Sequence, residues 1–368
     1  NGAIDAGMQA LSKKIKGKQV LLIVLVMGLI AIGGTTFGLA EETMAFYPIL
    51  IPVFLLAGFD RMTVVATIFL GTSIGTMAST INPFSTVIAS NTAGVNFTDA
   101  LPLRICMWAT CVIVGMIYVI LYAKKVQKNP KASYVYNDFA KEDQEYMNQN
   151  ETVQESEFTW RQKLTLLVFA IAFIVMIWGV QQKGWYFTEI AVVFLATGYI
   201  FAFISGLSEH KFVESFVNGA ADLLGVALTI GLARAVSIVM EESHTSDTIM
   251  NFFSQQVSGM PPLLFIWFMF LVYIVLGFFI QSSSGLAVLS MPIMAPLANV
   301  VGIDRASIID AYNWGQGFIS LIAPTGLILM SLMMVNIGFN KWFKFCWKLL
   351  VIEFGICLAF LAIGLVVY

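Results

Sequence analysis

A chain of 368 residues that is 58% hydrophobic and 11% charged, with a mean hydropathy of +0.84, has too few polar groups to cover a water-facing surface, for which about 25% charged residues is usual. That balance excludes a soluble enzyme and predicts apolar helices solvated by lipid. The net charge of −2 matters less than where the basic residues fall along the chain.

The opening stretch 4–16 is amphipathic, and Lys13, Lys14, Lys16 and Lys18 precede the first apolar arm. That arm ends on a polar, small-residue tip, Gly38-Leu39-Ala40-Glu41-Glu42-Thr43. The arm that returns, 44–57, carries Pro48 and Pro52 and would rise only about 21 Å, short of the roughly 30 Å hydrocarbon core. It therefore reads as a re-entrant hairpin whose tip stops at membrane depth. An Asp60-Arg61 corner follows, and then a helix interrupted by Ser79-Thr80-Ile81-Asn82-Pro83-Phe84. Proline lacks the N–H and clashes with the preceding turn, so peptide groups are freed there. Lipid cannot satisfy them, and such backbone is tolerated only against protein or a water-filled cavity.

Apolar spans are then predicted at 98–123, 162–182, 186–205 and 214–240. The polar stretch 124–162, with KKVQKNPK and KEDQEYMNQNETVQESE, reads as a cytoplasmic linker. It divides the chain into a first repeat over 1–123, the linker over 124–162 and a second repeat over 163–368. The second repeat has its amphipathic stretch near 246–258, a polar tip Gln281-Ser282-Ser283-Ser284-Gly285, an Asp304-Arg305 corner and a helix interrupted by Ala323-Pro324-Thr325-Gly326.

The two repeats align without a gap between 48–71 and 292–315, where Pro48/Pro292, Ile49/Ile293, Pro52/Pro296, Gly58/Gly302, Asp60/Asp304, Arg61/Arg305 and Gly71/Gly315 coincide, all but the isoleucines on prolines, glycines and the Asp-Arg pair. These are positions of unusual backbone geometry, whereas chance likeness between apolar segments would match Leu, Val and Ile. Five crossings between the copies, counting 62–95, place the second upside down relative to the first, an inverted repeat of the kind used by secondary transporters. The second copy is preceded by a span where the first has none, so at least one helix before Asn1 is expected. The lysine-rich clusters, with Arg61, Lys211, Lys341, Lys344 and Lys348, fall on one face, which the positive-inside rule makes cytoplasmic. Arg104, Lys183 and Arg305 fall outside, and Arg234 is left as the one basic residue inside a span.

Two tips and two breaks related by symmetry predict one polar site near the midplane. Its candidate residues are Glu41, Glu42 and Thr43 at the first tip, Thr80, Asn82 and Pro83 at the first break, Ser282, Ser283 and Ser284 at the second tip, and Asn313, Pro324 and Thr325 around the second break. Adjacent buried carboxylates such as Glu41 and Glu42 need a cationic partner, which a guanidinium or ammonium substrate would supply; on an aqueous face they would be merely solvated. The serines precede a helix start and suit a carboxylate, though small hydroxyl residues also let helices pack closely. Asp310 is either a cavity-facing proton or cation site or an interfacial residue. Arg234 is either a substrate ligand or an ion-pair partner of Asp222 or Glu353. The Asp-Arg corners read as helix caps, and Trp185, Tyr186, Trp342 and Trp347 as interfacial anchors. His210 and His244 have no catalytic partners, and Cys106, Cys111, Cys346 and Cys357 read as small buried hydrophobes without metal-ligand spacing. No phosphate-binding loop, metal site or cofactor motif is present, and nothing points to nucleic acid.

In order, the runs GLAEETMAFYPILIP, ASTINPFSTVIASNTAG, FVNGAADLLGVAL, QSSSGLAVLSMPIMAPL and LIAPTG resemble the YfcC family, allied to the anaerobic four-carbon dicarboxylate carriers of the ion transporter superfamily. Within it the likeness is greatest to arginine/ornithine antiporters. The resemblance implies an all-helical plasma-membrane protein, a homodimer with scaffold and transport domains, elevator-type alternating access and exchange of a basic amino acid. A sodium- or proton-coupled carboxylate carrier, for dicarboxylates or peptides, is the alternative, and a coupling ion stays open in either case.

Overall fold

The computed structural model describes residues 19–138, 159–222 apart from 184 and 186, isolated residues between 224 and 252, and 259–367. Among these residues all regular structure is helical. The amphipathic stretches 4–16 and 246–258, most of the span 214–240 and the later part of the linker lie wholly or mainly outside the described residues, as do Arg234 and Tyr186.

Helix α1 (Gln19–Phe37) leads through Gly38 to Ala40 into a tight 3-10 turn, Glu41–Phe46, and a short return helix α2 (Tyr47–Leu56). Gly38 has φ +78°, a left-handed conformation that costs glycine little; a Cβ there would also lie 2.8 Å from Asn82 Oδ1. Helix α3 (Arg61–Met77) stops before the break, a π-helical turn covers Pro83–Val87, and α4 (Ile88–Ala93) completes the segment. Helix α5 (Leu101–Lys128) runs five residues past Ala123 because Val126 is buried and Gln127 Nε2 donates to Ala57 O. The chain beyond it stays packed, with Tyr134 stacked on Tyr122 and an ion pair between Asp138 and Lys341.

Helices α6 (Trp160–Lys183) and α7 (Phe187–Ser205) occupy the predicted third and fourth spans. An amphipathic helix α8 (Glu209–Asp222) follows where the fifth was expected to begin. The element order from 262 onward then resembles that of 19–128. Helix α9 (Pro262–Phe279) turns at residues 280–282 into α10 (Ser283–Val301); α11 (Arg305–Ser320) breaks at 321–326 before α12 (Leu327–Val335), and α13 (Phe339–Val367) ends the described chain. Shifting α1 by 244 residues gives 263–281, within two residues of α9, and the same shift carries α3 onto α11.

Among the described residues five helices, α1, α5, α9, α10 and α13, are long and apolar enough to cross a membrane. Their outward faces carry Leu29, Ile113, Leu121 and Val351, all exposed, as a lipid-facing surface requires. The two return arms differ in length, since α2 has 10 residues and α10 has 19 despite Pro292 and Pro296.

Small residues bring the inner helices together. A Cβ on Gly75 would meet Ala31 O at 2.6 Å, one on Gly71 would meet Met27 O at 3.2 Å, and one on the repeat-matched Gly315 would meet Phe270 O at 2.7 Å. The two broken helices also cross each other, with Gly317 of α11 against Met77 of α3, where a Cβ would come within 2.4 Å of the Met77 backbone. This crossing sets the first break against α11.

Candidate functional site

The first break is held open by hydroxyl groups. Thr35, near the end of α1, accepts from Thr80 N at 3.0 Å through its Oγ1 and donates from it to Ala78 O at 2.9 Å. Its carbonyl accepts from both Thr80 N and Ile81 N at 3.2 Å and from Thr80 Oγ1 at 3.1 Å. The peptide groups that Pro83 prevents from joining a regular helix are thus paired by a neighbouring helix. Asn82, buried, caps the turn that follows by accepting from Phe84 N at 2.8 Å. Behind it Ser79 Oγ lies 2.6 Å from Thr86 Oγ1 and 3.0 Å from Ser85 Oγ.

Both tips reach this break. Gly38 of the first packs on Asn82 and Phe84, while Thr72 donates to Leu39 O. From the second, Ser283 Oγ donates to Phe84 O at 3.1 Å. Ser282 caps α10 by accepting from Gly285 N at 3.1 Å, and its hydroxyl lies 3.5 Å from that of Ser284. Tyr312 of α11 anchors this tip by donating to Ser283 O at 2.6 Å. Asn313, next to it, donates to Thr86 Oγ1 at 3.1 Å, and its own Oδ1 is buried without a partner.

The remaining predicted residues are more peripheral. Thr43 is buried and donates to Ala40 O at 2.6 Å. Glu42, half-buried, accepts from Ala40 N at 3.1 Å, and Glu41 is exposed; no ion pair engages either among the described residues. Pro324 is exposed and Thr325 half-buried, donating to Phe278 O at 3.0 Å. These two flank the base of the second tip, where Gln281 O accepts from Gln316 Nε2 at 3.2 Å, and they do not join the Asn82–Ser283–Asn313 group.

Three sequence expectations are corrected. Arg104, expected on the outer face, is 0% exposed and pairs through Nε with Asp310 at 2.5 Å, while its Nη1 donates to Phe97 O at 2.9 Å. Asp310 is therefore neither a solvated interfacial residue nor open to a cavity: it is the counter-ion of a cation from the other half. Trp342, expected as an interfacial anchor, is buried edge-on against Phe69 and donates from Nε1 to Leu321 O at 3.1 Å, which satisfies a carbonyl freed by the second break. Cys106 is exposed, unlike the other three cysteines. The caps stand as expected, since Asp60 accepts from Thr63 N at 2.9 Å and Asp304 from Ala306 N at 2.7 Å.

Sequence reasoning does not single out the hydroxyls and amides on otherwise apolar helices: Thr35, Ser79, Ser85, Thr86, Tyr312 and Gln316. Their signal was weak, because a threonine or serine on a packed helix ordinarily bonds its own backbone four residues back, as Thr67 does with Thr63 O.

Over residues 1–366 the sequence matches the profile of the DcuC family, described as C4-dicarboxylate anaerobic carrier. The chain belongs to this carrier family. It is a membrane transport protein, as the description of the family has it. The DcuC-family chain is 50% identical over 347 residues to an uncharacterized protein of Haemophilus influenzae, covering 94% of itself and 68% of that protein. It is 33% identical over 355 residues to the Escherichia coli protein named "Putative basic amino acid antiporter YfcC", covering 93% of itself and 69% of that relative. Among solved structures it aligns with the Alcanivorax borkumensis YdaH transporter at 15% identity and a TM-score of 0.46, over 98% of this chain and 84% of that one.

Proposed function

We propose that the protein is a secondary active transporter that exchanges basic amino acids, arginine against ornithine, through an inverted pair of re-entrant hairpins and broken helices. The observation that carries this reading is the convergence of Gly38, Asn82, Phe84, Ser283 and Asn313 at one place. Backbone amides at the start of α10 and the hydroxyls of Ser282, Ser283 and Ser284 suit the substrate's carboxylate. Glu41 and Glu42 at the other tip, engaged in no ion pair among the described residues, suit its guanidinium or ammonium group. Asn313 Oδ1 adds an acceptor between them. In this reading the protein is a plasma-membrane homodimer, each tip opens to one side in turn, and the segment carrying both tips moves against a scaffold.

The family description favours a second reading, a carboxylate carrier coupled to sodium or protons, in which the serine tip binds one carboxylate and the glutamates bind no substrate. Counterflow by the full-length protein in proteoliposomes separates the two. Loaded arginine should drive uptake of labelled ornithine, and Glu42→Gln should abolish it. Uptake driven by fumarate or succinate, insensitive to Glu41→Gln and Glu42→Gln, would overturn the basic amino acid assignment.

A further inference from the structure

Three carboxyl side chains are buried among the described residues: Asp60, Asp310 and Glu353. Two are compensated. Asp60 accepts from Thr63 N and Oγ1, Tyr122 OH and Ser133 Oγ, all within 2.9 Å, and Asp310 holds Arg104. Glu353, midway along α13, is 0% exposed, and neither of its oxygens has a hydrogen-bond partner.

Among the described residues, the groups facing it do not supply a charge. On α5 it meets the Cys111 thiol, a weak donor that also lies 3.6 Å from Met107 Sδ, and on its own helix it meets Cys357, one turn on. Helix α9 carries no Asp, Glu, Lys or Arg. On α11, Arg305 is bonded to Ala93 O and Asn299, Asp310 is paired with Arg104, and Tyr312 donates to Ser283 O. Arg104 of α5 is taken up by Asp310 and Phe97 O. Glu353 and the two thiols belong to no metal-holding group among the described residues.

An ionised carboxylate enclosed this way bears a desolvation penalty that nothing offsets, whereas the neutral acid largely escapes it. A leucine would fill a similar volume without any such penalty. What the carboxyl adds is a proton that can be taken up and given back, the use to which intramembrane acids are commonly put. Helices α5 and α13 occupy corresponding positions in the two halves and pack on each other with Glu353 at their contact, so any slip between them admits water to it.

We propose that Glu353 is a proton-binding site within the membrane region, protonated in the conformation described here and releasing its proton to water when the contact between α5 and α13 opens during the transport cycle. This rests on the transporter reading and adds a coupling ion to it. The test uses the full-length protein in liposomes that enclose a pH-sensitive dye, with labelled arginine, ornithine, lysine, fumarate and succinate as probes. Proton movement should accompany substrate flux in the wild type, and Glu353→Gln should lose it while labelled exchange between equal pools persists. Substrate flux without proton movement in the wild type, or unchanged proton movement in Glu353→Gln, would overturn the proposal. If Glu353→Gln does not fold, infrared difference spectra of the wild type and Glu353→Asp decide. A protonated-carboxyl band that shifts in the Asp variant and is depleted when a transported probe is added supports it. Absence of that band at neutral pH, or a band that no transported probe perturbs, overturns it. Failure of every probe to be transported would instead refute the transporter reading, and the band would then report only whether Glu353 holds a proton.

Discussion

Breaking the pair of Arg104 and Asp310 is the most quantitative perturbation the structure offers. Both side chains are buried, at 0% and 2% exposure, with Nε 2.5 Å from the carboxylate. Nη2 of the arginine is already without a partner. Asp310→Ala would leave the guanidinium enclosed with only Phe97 O for company, and removing one member of a buried pair costs about 3–5 kcal/mol. Replacing both by apolar residues of similar volume, Arg104→Met with Asp310→Leu, removes the charge along with its counter-charge and should fall within about 1–2 kcal/mol of the wild type. The four proteins form a double-mutant cycle, read by denaturant unfolding in mixed micelles. The expectation is two unstable single variants and a double variant close to the wild type. Single variants as stable as the wild type, or a double variant whose loss is the sum of the two, would refute the claim that this pair is dry and mutually compensating. Since it joins α5 of the first half to α11 of the second, the single variants should also lose transport.

Further outcomes follow from close contacts and caps. Gly75→Val should lower the yield of folded protein sharply, because its Cβ would press on the Ala31 backbone at 2.6 Å, whereas Gly198→Ala, with nothing within 4 Å, should be neutral; size-exclusion profiles after solubilisation compare them. Trp342→Phe keeps a ring against Phe69 but leaves Leu321 O unpaired, which should cost about 1–3 kcal/mol and appear as a lower unfolding midpoint. Asn82→Ala removes the acceptor for Phe84 N at a cost of about 1 kcal/mol, and its loss of substrate exchange should exceed what that destabilisation explains. A variant that loses stability alone would make Asn82 a cap and not a ligand.

Much of the architecture was legible because it is written in residues with few backbone options. Gly38, Pro83 and Pro324 marked the turn and the breaks, and the Asp-Arg corners marked helix starts; the structure has all of them where expected. Burial was not legible, because it depends on partners far away in the chain. Arg104 sits four residues into a helix, which in isolation reads as the aqueous edge, but its counter-ion comes from 206 residues later. Trp342 lies near the start of α13 like an interfacial aromatic, yet Phe69 and Leu321 O enclose it. Helix α10 continues through Pro292 and Pro296 to Gly302, whose left-handed φ of +79° ends it.

The central claim is that tips from both halves serve one substrate site, and protection from thiol labelling tests it most directly. Single cysteines at Ala40, on the first tip, and at Ser284, on the second, are placed in the full-length protein lacking its native cysteines and reconstituted in liposomes. A transported substrate should slow labelling at both positions with the same half-saturating concentration. Protection at one tip only, or at concentrations that differ between them, would mean that the two tips do not share a site.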